Sequence, residues 1–203
     1  MSEARLLVVV GGESTGKSTL VGDLARELPA LIVDETLRRW VDERGRVPTA
    51  AEQWDVMQIH AEREDSALAA ALESHTLQDA LTAVPQGSQD RDSASLSVVS
   101  DGGTFMTAVY SQLYYADDSL LRASLDRYAA MAALLVWCGS AIPWVADGDQ
   151  RDGPHMRDAA QLIVGAVLAD AEVDWVSVDG NRASRVAGVR RRLGEGAGTA
   201  AGR

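Results

Sequence analysis

Lysine is all but missing from this chain: Lys17 is the only one, and every other basic side chain is arginine. That scarcity excludes an Asn-Lys-x-Asp element, whose lysine would pack on a guanine base. Cysteine is just as rare. Cys138 alone allows neither an internal disulfide nor a Cys-rich zinc site, and it reads as a small buried apolar residue. Long apolar runs are missing too. No stretch approaches the roughly 18 to 20 residues of a membrane span. Leu6 to Val10 is too short for the apolar region of a signal peptide, so a cytoplasmic protein is expected. Positive charge is in deficit, with a formal net charge of -11. Nucleic acid and anionic membranes are therefore excluded as broad partners, and any attraction for phosphate must be local to one site. None of the three histidines lies in a metal-ligand or nucleotidyl-transfer spacing, and His60 and His75 on a long helical segment receive no role.

What is present is concentrated around that single lysine. Gly11-Gly12-Glu13-Ser14-Thr15-Gly16-Lys17-Ser18 fits G-x-x-x-x-G-K-[ST] without a mismatch. A compact ammonium on a flexible stem is retained here in a chain that elsewhere uses the planar guanidinium, which marks the position as chemical. At 203 residues and 46% hydrophobic, the chain suffices for one globular domain, taken to run to residue 193.

The local pattern supplies the context a phosphate-binding loop needs. Leu6 to Val10 is a short, continuous apolar run and reads as a buried parallel strand. From Lys17 the spacing of Leu20, Val21, Leu24 and Leu28 is helical until Pro29. Leu31-Ile32-Val33 forms a second strand that ends in Asp34-Glu35, before a helix carrying Arg38, Arg39 and Trp40. Thr49 and Glu52 have capping-box spacing, and an Ala- and Glu-rich segment of one or two helices continues to about Val84. Residues 86–95 form a candidate mobile loop. A strand from Leu96 leads to Asp101, followed by a helix through Tyr110, another from Ser119, and a strand from Ala133 to Trp137. Residues 139–157 read as a lid. A helix then starts near Arg157, a strand spans Val173 to Val178, and a last helix ends near Leu193, with a disordered tail from Gly194.

The chemistry follows from these positions. Backbone N–H groups of Gly11 to Gly16 and the helix start at Lys17, Ser18 and Thr19 face an anion. Lys17 reaches the outer phosphates, and Ser18 holds Mg²⁺. Asp101, at a strand end, is either a second metal carboxylate or a helix cap. Its neighbours Gly102 and Gly103 leave no glutamate there to activate water, which turns the reading from hydrolysis to transfer onto a small-molecule hydroxyl. Such transfer needs a carboxylate to orient the acceptor, and Asp34 and Glu35 are the candidates, Asp34 the better cap and Glu35 the better base. Arg151 and Arg157 either neutralise charge on the moving phosphoryl group or pair with neighbouring aspartates. Tyr110, Tyr114 and Trp40 either stack on a flat acceptor or belong to the core. The run Glu62-Arg63-Glu64-Asp65 reads as a solvated helix face.

Together these residues resemble the ribosylnicotinamide kinase domain of NadR-type proteins and related small P-loop ATP-binding proteins. The resemblance is carried by the glycine loop with Glu13, Asp34 to Trp40, Asp101 through Tyr110-Ser111, and Ile142-Pro143-Trp144-Val145-Ala146-Asp147-Gly148. It implies an α/β P-loop kinase-like fold of three layers, with a five-stranded parallel sheet in the order 2-3-1-4-5. It also implies Mg-ATP as phosphoryl donor and nicotinamide riboside or a similar nucleoside as acceptor. Lys17 and Ser18 then serve the phosphates and Mg²⁺, Glu35 and Arg38 the acceptor, Asp101 the metal, and Arg151 the lid. The alternative is a regulatory ATP-binding protein without kinase activity. Thr36 and Arg39 stand where related sequences carry an aromatic residue and a second acid. The His-x-Gly-His signature of an adenylyltransferase is absent, so dinucleotide synthesis is not expected.

Overall fold

In strand β1 (Arg5–Val10), Leu6, Val8 and Val10 enter one hydrophobic core while Leu7 and Val9 enter another, and all of them are buried. A strand apolar on both faces belongs in the middle of a sheet covered on both sides. β1 takes that place in the computed structural model, which describes residues 4–82, 97–142 and 153–199. The other strands are β2 (Ala30–Val33), β3 (Ser97–Asp101), β4 (Leu134–Cys138) and β5 (Asp174–Val178). All pair in parallel, in the order β2-β3-β1-β4-β5, which is the expected three-layer α/β topology.

Helices α1 (Lys17–Glu27) and α7 (Arg182–Thr199) cover the Leu7/Val9 face through Leu20, Leu24, Val186 and Val189. The opposite face carries α3 (Gln53–Thr82), α4 (Gly103–Tyr115), α5 (Ser119–Ala130) and α6 (Pro154–Ala169). Between them in sequence, α2 (Thr36–Arg44) follows β2 directly. The capping box at Thr49 and Glu52 is present, and the guanidinium of Arg46, 2.7 Å from Glu52, holds that carboxyl well below the usual carboxylate range.

Several boundaries differ from the sequence reading. The Ala- and Glu-rich segment is one helix, α3. Helix α6 begins at Pro154 rather than near Arg157, because proline fits the first helical position, where its missing N–H is no loss. The last helix does not end near Leu193 but reaches Thr199, into the segment expected to be a disordered tail. A helix already nucleated and packed on α1 gains a hydrogen bond for each residue added, and this outweighs the interspersed glycines. The expected mobile loop, 86–95, and residues 143–152 of the lid lie outside the described residues.

Two further expectations concern single residues. The Glu62–Asp65 run is not a solvated face throughout: Glu62 and Asp65 are exposed, Arg63 is half-buried and Glu64 is fully buried. Cys138, by contrast, is the buried residue expected. Burial pushes its thiol up to about 11, against the opposing pull of Arg185 and Lys17. At pH 8 the native protein should therefore resist iodoacetamide and react only once unfolded. Labelling of the native chain at the rate of a free thiol, followed by mass spectrometry, would contradict this burial.

Candidate active site

Parallel strands deliver their C-terminal ends to one edge of the sheet, and the loops leaving that edge form the site. Val9 lies opposite Asp101 in the ladder, and Val10 opposite Trp137. The glycine loop therefore leaves β1 directly beside Asp101. Val33, paired with Ser100, brings Asp34 and Glu35 to the same edge on the far side of β3.

Two side chains of the loop converge on one of its own carbonyls. Thr15, fully buried, donates its hydroxyl to the Gly12 carbonyl at 2.8 Å, and Lys17 Nζ donates to the same oxygen at 3.0 Å. Gly16 occupies the cap of α1 in the left-handed region and offers no side-chain cap, so the first N–H groups of α1 are free of one. Lys17 is buried, while Ser18 and Thr19 are exposed in the first turn. Such a helix start, with a buried ammonium beside it, is an anion site. Glu13 and Ser14 form the turn of the loop, and Ser14 takes a positive φ of 55°.

Two residues with no assigned role clamp this loop. Gln161 of α6 accepts from the Gly12 N–H at 3.0 Å and from Trp137 Nε1 at 3.0 Å, and it donates to the Cys138 carbonyl at 2.9 Å. Arg185 of α7, almost fully buried, donates to the Thr15 carbonyl at 2.6 Å and to Gly180 and Gly139. Their only sequence signal is a polar residue next to an apolar helical stripe, at Ala160/Val164/Leu168 and at Val186/Val189.

Arg157 sits against the loop rather than over it. Its backbone carbonyl lies 2.8 Å from where a Cβ on Gly12 would be, which restricts that position to glycine. The guanidinium donates to the Ile142 carbonyl and to Asp158, both at 3.2 Å. Arg151 and Trp144 lie outside the described residues.

Asp101 is buried, and its Oδ1 has no hydrogen-bond partner among the described residues. It does not cap α4, whose cap position is Gly102. An unpartnered buried carboxylate oxygen is costly unless something cationic meets it. Asp101 with the Ser18 hydroxyl provides the oxygen donors Mg²⁺ takes, since that ion usually accepts one or two carboxylates and completes its shell with phosphate and water. Among the described residues no cluster of three or more His, Cys, Asp or Glu forms a self-sufficient metal cage. The residues present thus fit a metal brought with a phosphate ligand.

Beside the Asp101 turn, Glu35, Thr36, Leu37, His60, Gly102, Gly103, Met106, Thr107 and Tyr110 line a narrow cavity with no room for a water-sized molecule in this structure. Glu35, not Asp34, occupies the cap position of α2, without a side-chain cap bond. Asp34 is exposed, while its carbonyl and the Thr36 hydroxyl accept from Arg63 at 2.7 and 2.8 Å, which fixes the turn that carries Glu35. Arg38 is exposed and stands 3.7 Å from Glu35. Tyr110 forms a wall of the cavity and stacks on Tyr114 at 6.0 Å. Burial first, and then the charge of Glu35, pushes its phenol well above the ordinary range, so it remains a hydroxyl donor. Trp40 belongs to the interior, with the Arg44 guanidinium 3.5 Å from its ring centre. His60 was assigned no role but lines this cavity.

The family described as AAA domain matches residues 6–185. The chain is similar to a NadR protein solved in complex with NR, with a TM-score of 0.57 and 16% identity over 88% of this chain and 44% of that one. It is also similar to thymidylate kinase from Candida albicans, with a TM-score of 0.50 and 11% identity over 96% of this chain and 92% of that one. The chain thus spans less than half the length of the NadR protein. A comparison with curated proteins finds no match. The fold is that of P-loop nucleoside and nucleotide kinases. No helix among the described residues is long and apolar enough to cross a membrane.

Proposed function

Because the chain belongs to the AAA domain family of P-loop proteins, we propose that it is a kinase that moves the γ-phosphoryl group of ATP onto a hydroxyl of a small acceptor, a nucleoside of the nicotinamide riboside type. The observation that carries this reading is the gathering of the glycine loop, Asp101, Glu35 and Tyr110 at one edge of the sheet, with Glu35 and Tyr110 lining the same narrow cavity. In-line transfer requires donor and acceptor groups side by side, and the adjacent C-terminal ends of β1, β3 and β2 support that reading.

In this scheme Lys17 and the N–H groups at the start of α1 bind the phosphates. Ser18 and Asp101 hold Mg²⁺, which when bound offsets the negative charge shared between donor and acceptor. Glu35 accepts the proton of the acceptor hydroxyl and orients that oxygen. Tyr110 presents a flat face and a donor to the acceptor, and Arg38 is the exposed cation nearest Glu35. The lid arginine Arg151 is assigned to the moving phosphoryl group by its sequence position alone.

One observation favours a second reading. The cavity has no room even for a water-sized molecule in this structure, whereas a typical small-molecule site encloses roughly 300 Å³ or more. Either an acceptor opens it, or the chain binds ATP as a regulatory protein without transferring phosphate. ADP release measured against a panel of nucleosides separates the two. At least one nucleoside should raise turnover well above the rate with ATP alone, and a uniform acceptor-independent rate would sink the kinase reading.

A further inference from the structure

Beneath the Asp101 turn lies a buried polar cluster that the scheme above does not use. Glu64 of α3 is fully buried. Its Oε1 accepts from the Ser100 hydroxyl at 2.7 Å and from the Tyr128 hydroxyl at 3.1 Å. Tyr128, also fully buried, in turn accepts from the Thr104 N–H at 2.7 Å. Since the Ser100 proton goes to the carboxylate, His60 Nε2, 2.8 Å from the Ser100 oxygen, must be the donor there, which fixes its tautomer. Arg127 reaches Glu64 Oε2 at 3.4 Å but lies closer to Asp65, at 2.7 Å.

This cluster grips both flanks of one short turn. Ser100 precedes Asp101 and Thr104 follows Gly103, so a single carboxylate ties down the chain before and after the metal-facing aspartate. Gly103 has a φ of 62°, and a Cβ there would collide with the Tyr128 hydroxyl and the Val8 side chain. The turn is therefore packed directly on the phenol. Burying a carboxylate costs more than burying a leucine of similar volume, so stability alone does not explain the cluster. Its geometric output is the placement of Asp101.

We propose that Glu64, acting through Ser100 and Tyr128, is the positioning residue that aims the Asp101 carboxylate at the metal of the bound nucleotide. The inference rests on Asp101 being a Mg²⁺ ligand, but it does not require phosphoryl transfer. His60 joins the cluster to the acceptor cavity it lines, so the same hydrogen bonds border both halves of the site.

The test is equilibrium binding of the fluorescent analogue mant-ATP to the full chain, titrated with MgCl₂ and separately in EDTA. Tyr128→Phe should raise the MgCl₂ concentration for half-maximal binding about tenfold, as for loss of a residue supporting a metal ligand. Affinity in EDTA should stay within about twofold, because the loop that binds phosphate is untouched. Glu64→Met, which cannot accept either hydroxyl, should shift as far. Glu64→Gln keeps an oxygen for both donors and should stay near the wild-type value. Should Tyr128→Phe fail to fold, Ser100→Ala, which removes a single hydroxyl, carries the same expectation. The proposal is overturned if the folded variants keep the wild-type Mg²⁺ dependence, or if their affinities with Mg²⁺ and in EDTA fall in parallel, the mark of a merely structural role. Wild-type binding indifferent to Mg²⁺ overturns it as well. Failure of the kinase reading shows elsewhere, as absent acceptor-stimulated ADP release with the Mg²⁺ dependence intact.

Discussion

Lys17→Ala should remove nearly all turnover and weaken nucleotide binding severely. The ammonium is buried and bonded to the Gly12 carbonyl, so it stands at the loop before any phosphate arrives. Among the described residues the other cations at the loop are committed elsewhere: Arg185 to the Thr15, Gly180 and Gly139 carbonyls, and Arg157 to the Ile142 carbonyl and Asp158. Loss of a preorganised charge facing the transferred group is expected to lower kcat by about 10² to 10³. The ATP Kd measured by calorimetry should rise at least about tenfold, since a charge-assisted contact to phosphate contributes of order 1.5 to 3 kcal/mol. Lys17→Arg should not restore function, because a rigid planar fork does not fit where a compact ammonium reaches past Gly12. Wild-type ATP affinity in Lys17→Ala would remove both the kinase and the regulatory readings.

Glu35→Ala should separate the two halves of the site. Acceptor-dependent turnover is expected to fall about 10² to 10⁴, the range for loss of a positioned general base, while ATP affinity stays within about twofold. The reason is geometric. Glu35 borders the acceptor cavity with Tyr110 and Met106, and its nearest ionic partner is the exposed Arg38 rather than a loop residue. Steady-state kinetics with the best nucleoside from the panel, paired with nucleotide titration, reads both quantities. Unchanged turnover would end the assignment of Glu35 as base. A matching loss of ATP affinity would place it on the donor side.

How far each part of the site was legible depends on where its determinants sit in the chain. The glycine loop is contiguous, and the apolar run before it and the helical spacing after it are set by neighbours within a few turns. Asp101 was legible because an acidic residue closing an apolar strand is a local pattern. Its freedom from capping duty was not, because that depends on Gly102 taking the cap position. That Glu35 rather than Asp34 lines the cavity could not be read locally, because the turn is fixed from another helix: Arg63 holds the Asp34 carbonyl and the Thr36 hydroxyl.

Helix α3 is the instructive failure. Its acidic run looked solvated because charge usually lies outside. Yet the buried positions Val56, Met57, His60, Ala61, Glu64 and Ala71 form one stripe at helical spacing, with His60 and Glu64 inside it. That spacing was visible in the sequence and was outweighed by residue type. What the sequence could not show is the set of partners that makes such burial tolerable. Ser100 and Tyr128, far along the chain, supply the hydrogen bonds for Glu64.

By itself the sequence determined that a phosphate-loop motif stands at Lys17, that parallel strands and helices alternate around it, and that guanine reading through a lysine is excluded. These follow from composition and short-range periodicity, which need no knowledge of distant contacts. The tertiary structure decided that Glu35 lines the narrow cavity beside Tyr110 while Asp34 is exposed, that Asp101 presents an oxygen unpartnered among the described residues, and that Gln161, Arg185 and the Glu64 cluster brace the loops. The reason is that orientation and desolvation of a polar group depend on the neighbours that folding brings to it from elsewhere in the chain, and a linear pattern of residue types does not contain them.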